Sequence, residues 1–238
     1  MNYKKAIFLL IYILSISTSF GQYYDTEFGQ NRIQYKKFNW LFYTTSHFDV
    51  YYYDEGGKYA KEAIDYLEDE FNRLTDVLGY APSAKTKIVI YNSYNDLQQS
   101  NIGIDGSVFT IGGEMEFIKL QLEIANPGTV QVFKEELIYL LSRTLINDML
   151  FGGSLKEVFQ SSHLLKLPEW FIAGAARYLA YGWDLKMDDF IRDYLDAKHI
   201  KKEKKVQGDQ AGVLGQAIWN YIAIKYGASN ISNILNLT

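Results

Sequence analysis

The residues that most often carry out metal chemistry are few in this chain of 238 residues. There are three histidines, His47, His163 and His199, and no cysteine. A catalytic zinc site of the short-spacer type needs two histidines one helical turn apart, so that both imidazoles face the same ion. No two histidines here are close in sequence, which argues against such a site. The lack of cysteine also excludes disulfides, thiolate chemistry and a lipid-modified N-terminal cysteine.

Nucleophilic and phosphate-binding motifs are missing from the sequence as well. There is no G-x-S-x-G elbow, and "GGSLKE" at 152–157 is typical of a loop that leads into a helix. The glycines of "IGGEME" lack the strand–helix order and the following Lys-Ser/Thr of a phosphate loop. The net charge of −4 gives no electrostatic case for nucleic acid.

Two adjacent carboxylates remain as candidates for chemistry. Glu135 and Glu136 lie near the start of "VFKEELIYLLSRTLINDML", a segment with the pattern of an amphipathic helix. A metal-free pair doing acid–base work is conceivable. Adjacent residues on a helix diverge, however, so the two carboxylates would not easily converge on one substrate bond.

The N-terminus has the three-part layout of a signal peptide. Lys4 and Lys5 precede the uncharged run "AIFLLIYILSISTSF", and "GQ" follows it. We predict a signal peptide over residues 1–21, cleaved after Gly21, and a single domain over 22–238. The alternative is an N-terminal membrane anchor, because the run approaches the length needed to span a bilayer. No second apolar stretch is long enough to do so.

After residue 39 the sequence predicts strands with one helix between them, followed by a run of helices. Residues 58–78 carry apolar side chains at three- and four-residue steps, which predicts a helix that ends at Gly79. Strands are predicted on both sides of it and further on, at 47–53, 86–92, 106–113 and 116–124, with a tight turn at Gly112–Gly113. Five helices are predicted at about 130–149, 168–182, 187–198, 212–226 and 228–237. This order favours an α+β domain, in which a small mixed β-sheet with an inserted helix precedes a mostly helical C-terminal half.

Three segments together resemble a known family. They are "HFDVYYYDEGGKYAKEAIDYLEDEFNRLTDVLGYAPSAKTKIVIYNSYNDLQQSN" at 47–101, "LPEWFIAGAARYLAYG" at 167–182 and "GVLGQAIWNYIAIKYG" at 212–227. The chain from about Phe38 to Gly227 is similar to gluzincin peptidase-MA-like domains of exported bacterial proteins, which often precede a TolB-like β-propeller in Bacteroidota. The resemblance implies a zincin-like fold and a place in the periplasm or on the surface of a Gram-negative cell. The chain stops within a predicted helix, so we expect it to be the front part of a longer polypeptide, with a β-propeller following.

The resemblance also identifies the positions of the family's zinc site. Active members carry H-E-x-x-H on the first long helix after the sheet, where the histidines bind zinc and the glutamate is the general base. These positions hold Glu135, Glu136 and Tyr139 here. The third ligand, a glutamate in L-P-x-W-hydrophobic-x-E-G, falls on Ala173. Only the base position keeps its residue, so the resemblance implies a degenerate site with no metal and no cofactor.

Helical geometry indicates which of these side chains still face the former cleft. Glu135 and Tyr139 are four residues apart and share a face, while Glu136 lies about 100° round the helix. The opposite stripe should face the core, and it consists of Phe133, Leu137, Leu140, Leu141 and Thr144. We therefore predict that Glu135, Glu136 and Tyr139 belong to a binding cleft.

Three further residues are assigned to this cleft. Glu169 is four residues before Ala173 and could join Glu135 and Glu136 in an acidic site for Ca²⁺ or Mg²⁺. Alternatively, its negative charge could simply stabilise the positive N-terminal end of a helix that begins after Pro168. Gly113 and Glu114 belong to "GGEMEF", which is similar to the G-x-M-E-N strand of zinc aminopeptidases. An edge strand in this place can bind an extended peptide by strand addition.

These observations lead to a functional hypothesis. We expect an exported, catalytically inactive metallopeptidase-like module that binds a protein or peptide or takes part in assembling a cell-envelope complex. The alternatives are a peptide hydrolase with an altered metal site and a purely structural subunit whose cleft is vestigial. The expected partner is a protein or peptide of the cell envelope. Neither nucleic acid nor a transmembrane helix after signal cleavage is expected.

Overall fold

In the described residues all strands lie before Asn126, and the chain after that residue is mostly helical. A computed structural model describes residues 35–99, 108–111, 115–118, 121–151, 167–196 and 208–237. All of them belong to a compact unit that spans Arg32–Thr238. The predicted signal peptide, the turn at Gly112–Gly113 and the residue Glu114 lie outside the described residues.

Six strands are found in the described part of the chain. They are β1 (Trp40–Thr44), β2 (Phe48–Tyr53), β3 (Thr86–Tyr91), β4 (Val108–Ile111), β5 (Met115–Ile118) and β6 (Gln121–Ala125). β2 and β3 confirm the predicted strands to within one residue at each end. β1 was not predicted.

Seven α-helices accompany these strands in the described residues. They are α1 (Gly57–Leu78), α2 (Tyr94–Gln99), α3 (Val130–Phe151), α4 (Glu169–Tyr181), α5 (Leu185–Asp196), α6 (Asp209–Tyr226) and α7 (Ser229–Asn236). Six of them lie within a few residues of their predicted bounds. Only the short α2 was not predicted. The mixed α+β class is therefore confirmed.

Four of the strands form a mixed sheet in the order β1-β2-β3-β6. β1 runs antiparallel to β2, while β2, β3 and β6 run parallel to one another. Parallel neighbours need a crossover, and α1 makes the one between β2 and β3. β4 and β5 form a separate antiparallel pair.

The single strand predicted over 116–124 is wrong. The structure divides this stretch between β5 and β6. β5 pairs antiparallel with β4, and β6 pairs parallel with β3 in the other sheet. One straight strand cannot hold both sets of partners, so the chain must change sheets within the segment. Its apolar pattern alone does not reveal that change.

The core forms where α1 and α3 pack on one face of the four-stranded sheet. Leu67, Leu137 and Leu141 are completely buried there. The stripe predicted to face the core on α3 is confirmed, because Phe133 and Thr144 are also buried and Leu140 is half-buried. On the opposite side of α3, Gln131 and Glu135 of the first turns are exposed, whereas Ile138, Ser142 and Ile146 further along are buried.

Helices α4 and α6 cross at glycines. A Cβ atom on Gly174 would overlap the backbone of Gly215, and one on Gly215 would overlap the carbonyl of Trp170. The two backbones are therefore in direct contact. Trp219 of α6 is fully buried, and its indole nitrogen donates a hydrogen bond of 2.9 Å to the carbonyl of Phe171. This crossing fixes α4 relative to α6.

Candidate functional site

The face of α3 that carries Gln131 and Glu135 borders an open cleft of about 600 Å³. One wall is α3, another is the end of α4, and Tyr66 of α1 also reaches it. The polar side chains that line it are Gln131, Glu135, Arg177, Tyr181, Asp184 and Gln216. Such a lining combines both charge signs with neutral donors and acceptors.

Glu135 is held by neutral groups. Its side chain is exposed, and its Oε1 accepts a hydrogen bond of 2.6 Å from the amide nitrogen of Gln131, one turn earlier on α3. Its backbone carbonyl accepts a hydrogen bond of 3.2 Å from the hydroxyl of Tyr181. The carboxylate thus faces the cleft while the backbone beneath it is tied to the opposite wall.

Aromatic and guanidinium groups join the two walls. The rings of Tyr139 and Tyr181 stack with centroids 6.1 Å apart. The guanidinium of Arg177 lies 5.3 Å from the centre of the Tyr181 ring, a favourable cation–π distance. Arg177 Nε also donates to the amide oxygen of Gln216 at 3.2 Å, and Gln216 donates to the carbonyl of Gly182 at 2.9 Å.

The electrostatics of the cleft keep the Tyr181 hydroxyl protonated. Burial raises the pKa of Tyr181 to about 12, Arg177 opposes that rise, and Tyr139, Glu135 and Glu136 add to it. Burial also raises the pKa of the Glu136 carboxyl. The Tyr181 hydroxyl therefore stays protonated, and able to donate a hydrogen bond, to a higher pH than an exposed tyrosine would.

The structure brings together only part of the predicted site. Glu135 lines the cleft, whereas Tyr139 does not line it and instead stacks on Tyr181, which does. Glu136 and Glu169 do not line it. The Glu169 carboxylate instead accepts a hydrogen bond of 3.0 Å from the backbone nitrogen of Gly208. Ala173 is buried against Gly212 of α6 and does not line the cleft.

The residues at the zinc positions do not fit zinc. The Tyr139 ring is stacked on Tyr181, Ala173 has no donor atom, and Glu135 alone offers a carboxylate. Among the side chains that the structure describes, no group of three or more histidines, aspartates or glutamates is placed to hold a metal ion. The acidic Ca²⁺ or Mg²⁺ site considered for Glu135, Glu136 and Glu169 is not formed.

His47 serves a structural purpose. Its Nδ1 lies 2.6 Å from a carboxylate oxygen of Glu68, and its ring stacks on Phe71 with centroids 3.9 Å apart. Glu68 belongs to α1, so the pair fastens the turn before β2 to that helix. His163 and His199 lie outside the described residues.

Sequence reasoning missed Arg177, Tyr181, Gln216 and Tyr66. A signal for two of them existed, because Arg177 and Tyr181 follow Ala173 by four and eight residues and share its face of the helix. On that face Ala173 is buried, whereas Arg177 and Tyr181 line the cleft. Gln216 and Tyr66 are brought in by tertiary contacts and had no local signal.

The comparisons with known proteins gave no match. No family model matches the chain, and neither the curated proteins nor the solved structures contain a match. In the described residues no helix combines the length and apolarity needed to cross a membrane.

Proposed function

We propose that the chain is an exported, non-catalytic peptidase-like module with a zincin-like fold, which binds a protein or peptide segment in the cleft between α3 and α4. The observation that carries this proposal is the combination of an open cleft with a ligand set that does not fit zinc. The Tyr139–Tyr181 stack and the Arg177–Gln216 hydrogen bond join the residues around the cleft. Export follows from the signal peptide predicted over residues 1–21.

The cleft has the size and chemistry that suit a peptide. Its volume of about 600 Å³ lies within the range of ordinary ligand sites. A peptide backbone offers donors and acceptors in alternation. The amides of Gln131 and Gln216 and the hydroxyl of Tyr181 line the cleft, and each has a further donor or acceptor position beyond the hydrogen bonds it already makes. Arg177 suits a carboxylate of the ligand and Glu135 suits a cation.

Hydrolysis is poorly supported by the same geometry. In the family, a glutamate at the position of Glu136 acts on a water that zinc activates. Glu136 does not line the cleft, while Glu135 does. The two adjacent carboxylates therefore do not face one substrate bond, and the positions that would hold zinc do not fit it. Binding remains the use that the cleft supports.

Peptide selection tests this proposal. A random peptide library displayed on phage is panned against the immobilised full chain, and selected peptides are measured by fluorescence anisotropy. We expect Arg177→Gln and Glu135→Gln each to raise the Kd about tenfold, because a charge-assisted hydrogen bond is lost. Arg192→Gln is the matched control, since Arg192 is exposed on α5 and pairs with Asp189 on the same helix.

Two further measurements separate binding from catalysis. We expect no cleavage of the selected peptides by mass spectrometry and no stoichiometric zinc after purification in zinc-containing buffer. Tight zinc binding that disappears in Glu135→Ala would overturn the proposal, and cleavage that depends on zinc would establish the hydrolase alternative. Peptides that bind equally to all variants would show that the cleft is not the binding site.

A further inference from the structure

A second groove adjoins the cleft, on the surface between α1 and α3. It has a volume of about 400 Å³ and is lined by Lys134 of α3 and by a row of side chains from α1. Tyr66 of α1 lines this groove and also lines the cleft between α3 and α4. The groove and the cleft are therefore neighbours that share one wall residue.

Tyr66 has interactions on both sides of this boundary. On the groove side, Lys134 Nζ lies 5.4 Å from the centre of the Tyr66 ring. On the cleft side, Tyr66 is close to the charge of Glu135. Burial raises the pKa of Tyr66, Glu70 and Glu135 add to that rise, and Arg73 opposes it. A ligand that passes from the cleft into the groove must therefore cross Tyr66.

The groove follows α1 for about three turns. Its lining begins at Lys58 and ends at Asp69, and the rise of a helix over this interval is about 17 Å. An extended peptide advances by about 3.4 Å per residue, so about five residues cover the same length. The groove thus has the length of a short extended segment.

The groove carries both charge signs in equal number. Its charged side chains are Lys58, Lys61, Lys134, Glu62, Asp65 and Asp69. Among these described residues the one ion pair joins Lys134 Nζ to Glu62 Oε1 at 3.8 Å. Both partners are partly exposed, and a pair of this kind is weak, so it does not close the groove. The other four side chains are exposed. Such a lining suits a polar segment and sets no preference for one charge sign.

We propose that the segment bound in the cleft continues past Tyr66 into this groove, so that the ligand is an extended polar polypeptide with about five residues beyond those in the cleft. The inference rests on the peptide-binding function proposed above, because the groove takes the part of the same ligand that leaves the cleft. A ligand of this kind is an unfolded stretch of a partner protein, such as a terminal tail or a linker. Tyr66 contacts it at the passage, and Lys134 contacts it in the groove.

Truncated peptides test this inference on the full chain. The starting peptides have about 12 residues and are those selected by panning whose binding is weakened by Arg177→Gln. Each is shortened from either end, one residue at a time, and its Kd is measured by fluorescence anisotropy. We expect the removal of about five residues from one end to raise the Kd about tenfold in total. The shortened peptide should still bind and should still depend on Arg177.

A protein variant shows whether the lost affinity comes from the groove. Lys134→Ala should raise the Kd of the full-length peptide about fivefold and leave the Kd of the shortened peptide unchanged. Lys225→Ala is the matched control, because Lys225 Nζ lies over the exposed ring of Tyr221 on α6, 5.1 Å from its centre. This control should change neither Kd.

Cross-linking locates the outer end of the peptide. The chain has no cysteine, so Lys61→Cys introduces a single thiol in the groove. A chloroacetyl group on the outer end of the peptide alkylates that thiol, and chloride leaves. We expect this reaction to be about tenfold faster than with the control Asp76→Cys, because binding concentrates the reactive group in the groove. Asp76 is exposed on the same helix, on the other side of Tyr66 from Lys61.

The outcomes separate this inference from the function on which it rests. Shortened peptides that bind as tightly as full-length ones would overturn the inference and leave peptide binding in the cleft intact. Equal losses of both peptides in Lys134→Ala, or equal alkylation of the two cysteines, would also overturn it. If no selected peptide depends on Arg177 or Glu135, the proposed function fails and the inference fails with it.

Discussion

The two sides of helix α3 differ in what holds them in place. On the core side, Leu137 and Leu141 are completely buried among side chains from the sheet and from other helices. On the cleft side, Glu135 is exposed and is held by one amide and by one hydroxyl from α4. Close packing therefore positions the helix, and a few polar contacts orient the cleft. Stability and binding should be separable by mutation.

The largest effect is expected on the core side. Leu137→Ala removes a fully buried side chain, and we expect it to lower the free energy of unfolding by about 2–5 kcal/mol. Chemical denaturation followed by circular dichroism measures this loss. Leu185→Ala is the control, because Leu185 is 80% exposed and should change stability by less than about 0.5 kcal/mol. Similar losses from both variants would contradict the contrast between the two sides.

A smaller loss is expected at the helix crossing behind the cleft. Gly215→Ala places a methyl group against the carbonyl of Trp170, and we expect a loss of about 1–3 kcal/mol by thermal or chemical denaturation. Gly212→Ala is the control on the same helix, because its new methyl group meets the movable side chain of Arg177 instead of backbone. Gly212→Ala should therefore cost less stability while weakening peptide binding at Arg177. The reverse order would show that the crossing is loosely packed.

The smallest effect is expected on the cleft side. Tyr181→Phe removes a hydrogen bond of 3.2 Å from a partly exposed hydroxyl, and we expect a loss below about 1 kcal/mol at neutral pH. The pKa of Tyr181 is raised in the folded protein to about 12 from an ordinary value of 10.0. Its contribution is therefore fully present below that ordinary value and is lost as the pH rises towards 12.

Alkaline titration provides the measurement. Tyrosinate absorbance should show that Tyr181→Phe removes one phenol that ionises late. Wild-type stability should fall more steeply than that of the variant over the same pH interval. Two identical alkaline stability curves would indicate that Tyr181 titrates like an exposed tyrosine.

Much of the fold follows from periodicity, while the connections between elements do not. α1 and α3 were predictable because their apolar residues recur at helical spacing over six turns or so. β1 was missed because an exposed edge strand with apolar residues on both faces has no alternation to detect. The division of 116–124 into β5 and β6 depends on which strand each part pairs with. That information is tertiary.

Both helices that border the cleft were predicted, but only α3 yielded a predicted site residue that lines it. Helical geometry predicted that Glu135 and Tyr139 share a face of α3, and Glu135 lines the cleft while Tyr139 stacks on Tyr181. It could not show that α4 would bring Arg177 and Tyr181 across from them, because this depends on how α3 and α4 pack. Glu169 was grouped with Glu135 and Glu136 for the same reason. In the structure its carboxylate instead accepts a hydrogen bond from the backbone nitrogen of Gly208.

The glycine contact between α4 and α6 has a consequence for motion. Because the backbones of Gly174 and Gly215 already touch, the two helices have no side-chain layer along which to slide. Any opening or closing of the cleft must carry α4 and α6 together as one rigid piece against α3. Spectroscopic labels on α3 and α4 would then report the whole change in distance, and labels on α4 and α6 would report none.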